Sequence, residues 1–294
     1  MTEAISILVL AHNKAPYTRR CLDSLLLSTL RPFQLVLVDN GSTDETAELF
    51  KTFRDRAAGE RIQVEILSFG ENIGAVEGRN RAMELLTGDF WVFLDNDVTV
   101  RTRSWLEGLR AVLDQRPSPG EQGGVGVVAP KLVYPNPPHD IQCAGCAVTL
   151  GGRVIFCGRG EGRTAPSWNQ PRDCQTLISA CWMMPAAVAR RIGPLDTLFS
   201  PVQFEDIDYC YRIRAAGFRC RYEPSVEMYH FENVTTGRSE SLNYTYLTIK
   251  HGMKFKDKWR HRFSLEAGPP DSAWKWIQVP QVRLEDVPER LTIE

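Results

Sequence analysis

The chain has 294 residues, enough for a substantial core arranged as one large domain or two small ones. Apolar residues make up 43% and charged residues 24%, and 35 Lys+Arg against 36 Asp+Glu leave a formal net charge of −1, so nothing global argues for nucleic-acid binding or for disorder. No basic leader opens the sequence and no apolar run approaches the ~18 residues of a membrane span, so a soluble, cytoplasmic chain, at most peripheral to a membrane, is expected.

Ile5–Ala11 reads as a strand buried on both faces. Pro16 suits the first turn of a following helix with Cys21, Leu22, Leu25 and Leu26 as its apolar stripe. Gln34–Val38 is a second strand ending at Asp39. Ser42-Thr43-Asp44-Glu45 then matches a capping box with Ser42 as N-cap, and Ala47, Phe50 and Phe53 continue that helix. Val64–Ser68 is a third strand, and Val76, Ala82, Met83 and Leu86 form the apolar side of a helix after Gly74. Phe90–Leu94 is a fourth strand, running into Asp95-Asn96-Asp97. This alternation predicts a three-layer α/β/α sandwich with a mostly parallel central sheet, in which ligands bind beyond the carboxyl ends of the strands. His12-Asn13, Asp39-Asn40, Asn72 and Asp95-Asn96-Asp97 all fall at or just after strand ends, so the polar clusters converge on one edge.

A helix at Trp105–Leu113 is followed by a change of texture. Residues 117–124 are rich in Pro and Gly, and 125–184 read as short strands separated by turns. Pro185–Ile192 and Glu205–Ala216 are helices, the second stopped by Gly217. Arg219–Tyr222 and Val226–His230 look like closing strands, 241–262 like one amphipathic helix, and the remainder from Gly268 is Pro-rich and irregular. The expected organisation is two halves, 1–115 and 116–240, sharing the same sheet, and a helix with a tail over 241–294.

Several motifs are excluded or left bland. There is no GxxxxGK[ST]. Gly124-Val125-Gly126-Val127-Val128-Ala129 is a loose GxGxxA, but inside a strand rather than between strand and helix. Eight cysteines in a chain without a secretory signal are expected to be reduced. Cys143-x-x-Cys146 with Cys157 and Cys174 has no second CxxC, so small half-buried thiols are preferred to zinc. The basic run 250–262, KHGMKFKDKWRHR, reads as a solvated helix face with Phe255 and Trp259 inward, or as a contact for an anionic lipid surface or a phosphate-bearing acceptor. Asn233 and Asn243 head formal glycosylation sequons, without meaning for a cytoplasmic chain.

Three clusters carry chemistry. Asp95 and Asp97, one residue apart after a strand, are hard oxygen donors suited to Mg²⁺ or Mn²⁺. Glu205-Asp206 opens a helix, where the dipole favours carboxylates and a plain helix cap is the simple reading. His230 ends a strand. Taken with VDNGSTDET at 38–46, GENIGAVEGRN at 70–80, FLDNDV at 93–98, SACWMMPAAVARRIGPLD at 179–196 and FEDIDYCYRIRAAGFRCRYEPSVEMYH at 204–230, the chain from 5 to 232 resembles the family-2 glycosyltransferases, and within them a soluble, rhamnosyltransferase-like branch.

That resemblance implies a GT-A fold, a nucleoside-diphosphate-sugar donor (UDP-, dTDP- or GDP-linked), a divalent Mn²⁺ or Mg²⁺ ion and inversion at the anomeric carbon, with the half over 1–115 binding the nucleotide-sugar and the half over 116–240 binding the acceptor and carrying the catalysis. It implies that Asp39 meets the nucleobase with His12 against it, and that Asn72, Gly74, Arg79 and Asn80 help hold the nucleotide. Asp95 would meet ribose or metal, with Asp97 and His230 as metal ligands. Asp206 would be the general base, and Glu205 would orient the acceptor. Asn40 and Asn96 stand where the family often has aspartates. The acceptor is left open among glycan, lipid-linked, peptide and small-molecule classes, with Arg238 a candidate for the diphosphate. Two other readings are a non-catalytic nucleotide-sugar-binding module and a sugar nucleotidyltransferase. The second would want a Gly-rich basic loop where this chain has Ala11-His12-Asn13-Lys14-Ala15-Pro16.

Overall fold

The computed structural model describes residues 4–115, 123–232, 234, 243–275, 277 and 279–294. Twelve strands and seven α-helices follow one another in these residues. The first half runs β1 (Ile5–Ala11), α1 (Ala15–Leu25), β2 (Phe33–Asn40), α2 (Thr46–Ala57), β3 (Ile62–Phe69), α3 (Ala75–Met83), β4 (Phe90–Asp95), β5 (Val98–Val100) and α4 (Trp105–Leu113). The second runs β6 (Val125–Val133), β7 (Ile141–Cys143), β8 (Cys146–Val148), β9 (Val154–Phe156), β10 (Arg172–Cys174), β11 (Cys181–Pro185), α5 (Ala186–Ile192), α6 (Glu205–Ala215), β12 (Arg219–His230) and α7 (Tyr244–Phe263).

Ten strands form one sheet with the path β10-β12-β6-β11-β4-β1-β2-β3, β5 lying against β12 and β7 against β6. The alternation of side chains in β1 explains the layers. Ile5, Ile7 and Val9 point to one face, where they meet Leu22 of α1, Phe50 and Phe53 of α2 and Trp105 of α4. Leu8 points to the other, with Val76 of α3, Val188 of α5 and Cys210 of α6. Parallel pairing is complete across β3-β2-β1-β4. Beyond β4 the sheet is mixed, because β11 runs antiparallel to both of its neighbours. Both halves therefore share one sheet.

Some local expectations are corrected. The helix after β2 starts at Thr46 rather than behind Ser42. Asp44 serves its start, with Oδ1 accepting from Thr46 N at 3.0 Å, while Ser42 Oγ accepts from Asn13 N at 2.8 Å. Asn13 Oδ1 in turn accepts from Thr43 N and Asp44 N, so the loops after β1 and β2 are tied together and Ser42 is not free to cap. The two closing strands are one, β12, with a register shift between Glu223 and Glu227 around Pro224, which has no N–H to give the ladder. Gly126 lies inside β6, and an added Cβ would fall 2.7 Å from Ile213 and Phe218, so this glycine serves close packing of α6 rather than a phosphate loop.

Asn243 caps α7 by accepting from Tyr246 N at 2.9 Å. Phe255, Trp259 and Phe263 of α7 pack on Ile207 and Tyr211 of α6. The irregular tail then straps back over the first half: Val282 and Val287 cluster with Tyr17 and Phe231, and Glu294 N donates to Arg101 O at 2.7 Å. No described helix is long and apolar enough to cross a membrane.

Candidate active site

The carboxyl ends of β1, β2 and β4 open onto a cavity of about 790 Å³. His12, just past β1, contacts Asn40 O through Nδ1 at 2.9 Å. Asn40, ending β2, donates through Nδ2 to Asn72 Oδ1 at 3.0 Å and accepts from Ile73 N at 3.1 Å, while Asn72 Oδ1 also accepts from Gly74 N at 2.9 Å. Gly74 takes φ 89° and a Cβ there would sit 2.9 Å from Pro201 Cβ, so only glycine lets the 201–204 segment close over the start of α3. His12, Asn40, Asn72 and Gly74 all line the cavity. Asp39 is buried at the same strand end and its Oδ1 accepts from Ser42 N at 2.9 Å, but it is Asn40 that reaches the cavity wall.

The turn between β4 and β5 presents Asp95 and Asp97, while the middle residue, Asn96, is anchored by donating to Thr18 Oγ1 at 2.8 Å. The short β5 is the element that completes the cluster. It pairs antiparallel with the end of β12, His230 opposite Val98, which sets His230 Nε2 3.2 Å from Asp97 Oδ1. Donor atoms of Asp95, Asp97 and His230 all lie within 4.8 Å of one another, and among the described residues this is the one such group. Two carboxylates and an imidazole suit a divalent cation of the Mn²⁺ or Mg²⁺ type. The electrostatics fit as well. Burial raises the Asp95 carboxyl, with Arg79 opposing and Asp97 adding to the rise. Burial would lower the His230 imidazole, but the Asp97 carboxylate outweighs it and pushes it up to about 9. A metal ion bound here would take the place of the proton that Asp97 stabilises on the imidazole.

Arg79 of α3 joins this cluster to the opposite wall. Its Nη2 donates to Asp95 Oδ1 at 2.5 Å, and its Nη1 donates to Glu205 Oε1 and Ser179 Oγ, each at 3.2 Å. Burial works against the guanidinium charge, but Asp95 and Glu205 outweigh it and raise the Arg79 pKa. Gln203 and Phe204 both adopt left-handed backbone, φ 84° and 73°, turning the chain so that α6 begins facing the cavity. Asp206, half-buried there, accepts from Ser179 N at 3.1 Å and from Ile207 N at 2.7 Å. Its carboxyl is raised by burial and lowered by those two N–H groups.

Glu205 lines the cavity but is buried, with Oε1 on Arg79 and Oε2 without a partner, and its carboxyl is pushed up to about 7 by burial and by Asp206. One expected contact is corrected. Asn80 does not line the cavity: its amide is closed on the Leu195 backbone, donating to O at 2.9 Å and accepting from N at 2.8 Å. Its neighbour Arg79 faces inward because successive helix residues turn by about 100°. Ser179 was not singled out by sequence reasoning, although it opens the quoted SACWMM motif; it touches both Arg79 and Asp206.

The eight cysteines are free thiols. Cys143 and Cys146 approach to 3.6 Å between sulfurs, and burial pushes the Cys157 thiol up to about 11, which suits packed thiols. Asn233 and Arg238 lie outside the described residues.

Comparison with known proteins adds to this geometry. Residues 6–140 match the model of Glycosyl transferase family 2. The chain is 29% identical over 231 residues to the pre-mycofactocin glycosyltransferase of Mycobacterium tuberculosis, covering 77% of this chain and 42% of the relative. It is 26% identical over 277 residues to the N-acetylglucosaminyl-diphospho-decaprenol L-rhamnosyltransferase of the same organism, covering 85% of this chain and 86% of that one. A longer Sinorhizobium fredii relative, 28% identical over 92% of this chain, is matched over 29% of its length, so the chain spans less than half of two of its relatives. A structure of GalNAc-T7 with UDP, GalNAc and Mn²⁺ superposes with a TM-score of 0.66 at 15% identity, covering 89% of this chain and 50% of that one. At that identity the likeness establishes the fold, GT-A.

A cation entering beside His230 must displace the proton that Asp97 stabilises. Mn²⁺ affinity, measured by electron paramagnetic resonance titration, is therefore expected to rise close to tenfold per pH unit from about pH 7 and to level off near about pH 9. A flat profile over that range would place the metal elsewhere.

Proposed function

We propose that this chain, a family-2 glycosyltransferase through residues 6–140, moves a sugar from a UDP-, dTDP- or GDP-linked donor to an acceptor hydroxyl or other nucleophile. The reaction inverts the anomeric carbon and depends on Mn²⁺ or Mg²⁺. The observation that carries this reading is the presence, in one cavity, of the Asp95–Asp97–His230 group and the separate carboxylate Asp206, with Arg79 bonded to Asp95 and to Glu205.

On the donor side, within 1–115, His12, Asn72, Gly74 and Asp95 line the space for the nucleotide, with Asp39 behind them as the candidate for the base. Asp97 and His230 would hold the cation, which when bound would neutralise charge developing on the leaving diphosphate. Arg79 orients Asp95 and opposes the rise that burial imposes on its carboxyl. On the acceptor side, within 116–240, Asp206 takes the proton of the attacking group. The hydrogen bonds from Ser179 and Ile207 fix its carboxylate, and its raised pKa makes it a better proton acceptor than an exposed aspartate. Inversion in one displacement needs only this one base opposite the diphosphate.

The acceptor wall is largely apolar, with Val154, Phe156, Ile178, Phe204 and Met253. Among the described residues eight large apolar side chains are exposed, and five of them, Leu198, Tyr246, Ile249, Met253 and Leu265, lie on, beside or just after α7. Tyr246, Ile249 and Met253 share one helix face, next to Lys250 and Lys256. This supports peripheral contact of α7 with an anionic lipid surface, and with it a lipid-linked acceptor in preference to a peptide or small molecule. The decaprenol-linked substrate in the name of one relative agrees with that order. A non-catalytic binding module is set apart by donor hydrolysis, which only a transferase catalyses.

Asp206→Asn keeps the shape and loses the base. The transfer rate is expected to fall by about 10²–10⁴-fold while donor affinity by calorimetry stays the same; normal turnover would remove the assignment, and an equal loss of affinity would move Asp206 to the nucleotide. In flotation assays the chain is expected to rise with phosphatidylglycerol vesicles and to stay behind with phosphatidylcholine, and Met253→Glu should abolish the binding. Equal recovery with both lipids, or an unaffected variant, would contradict the membrane contact.

A further inference from the structure

We propose that Gln142 is a positioning residue that fixes the ring and the tautomer of His230, so that Nε2 is the nitrogen offered to a cation. The inference rests on the metal site of the reading above and adds a residue to it. Gln142 sits in the middle of β7 with 0% exposure, far from His230 in sequence, and both ends of its amide contact that one residue. Nε2 of Gln142 donates to His230 O at 3.1 Å, and Oε1 lies 2.6 Å from His230 Nδ1.

The chemistry of the contacts assigns the protons. A backbone carbonyl only accepts, so the NH₂ end of the amide must face it. That leaves the amide oxygen against Nδ1, and an oxygen of this kind only accepts. Nδ1 therefore keeps its hydrogen, and Nε2 is the nitrogen that a metal takes once the proton facing Asp97 is displaced. This nitrogen is the one 3.2 Å from Asp97. Metal-holding imidazoles are generally oriented in this way by a partner on the other nitrogen.

The backbone that carries the amide is itself held. Gln142 O accepts from Arg159 Nε at 3.2 Å, and Arg159 Nη2 donates to Glu232 Oε1 at 2.9 Å, two residues beyond His230. Arg159 thus ties β7 to the chain just beyond β12. Packing alone does not account for a glutamine here, since a buried amide loses its water and a leucine of similar size would fill the space without that loss. The amide is suited to its place only through the two bonds to His230.

The test uses Mn²⁺ as the probe on the full chain. Gln142→Leu keeps the volume and removes both bonds. Gln142→Glu keeps an oxygen acceptor on Nδ1 and so keeps the orientation of the ring. Mn²⁺ affinity is expected to fall by about 10–100-fold in Gln142→Leu and to recover in Gln142→Glu. The ¹⁴N modulation of the Mn²⁺ electron spin echo, which reports a directly bound imidazole, is expected in the parent chain and lost in Gln142→Leu. Gln142→Met carries the same test should Gln142→Leu not fold. A folded variant with parental affinity and modulation would overturn the proposal, as would a Gln142→Glu variant no better than Gln142→Leu. A parent chain that binds no Mn²⁺ would overturn the metal reading with it, whereas parental binding unaffected by either variant would overturn Gln142 alone.

Discussion

The site depends on one buried guanidinium. Arg79 stands on α3 with Asp95 on one side and Glu205 on the other, and it is the link between the turn after β4 and the start of α6. A planar fork is needed to reach two carboxylates and the Ser179 hydroxyl at once, which a lysine ammonium could not do with the same geometry. Its environment also shows why the carboxylates next to it differ. Asp95 shares Arg79 while facing Asp97 and His230, whereas Glu205 is fully buried and has one oxygen without a partner. Removing one member of such a buried group leaves the others uncompensated, a loss of about 3–5 kcal/mol. Asp206, one residue further on, turns instead to backbone N–H groups and the cavity.

The second constraint is topological. A wholly parallel sheet would leave His230 and Asp97 on separate elements with nothing to align them. The antiparallel contact of β5 with β12 supplies that alignment, since pairing His230 with Val98 fixes the neighbouring Asp97. The mixed half of the sheet is thus what brings the end of β12 to the cavity beyond β1, β2 and β4. The tail adds to this by packing Val282 and Val287 around Phe231, directly after His230.

Much of the donor edge was legible in the sequence because alternating strands and helices place strand ends together, and His12, Asn72, Asp95 and Asp97 sit at those ends. Assigning roles to these residues drew on resemblance to a family rather than on pattern alone. What pattern could not reach was the side of an element from which a residue works. Arg79 and Asn80 are adjacent in one motif, yet one enters the cavity and the other closes on Leu195. Glu205 and Asp206 are adjacent too, and burial divides them. The three-residue β5 is too short to carry a periodic signal, and the cap of α2 shifted to Asp44 because Ser42 is engaged by Asn13, a contact between loops distant in sequence.

In the proposed function this cavity takes a nucleoside diphosphate and a divalent cation together, with Asp206 left facing the acceptor. The most direct measurement is a crystal structure grown with Mn²⁺ and UDP, dTDP or GDP, with data collected at the manganese absorption edge. An anomalous peak within coordination distance of Asp97 and His230, bridging to the diphosphate and clear of Asp206, is the predicted result. A bound nucleotide whose anomalous peak lies away from Asp97 and His230, or a diphosphate seated against Asp206, would contradict it.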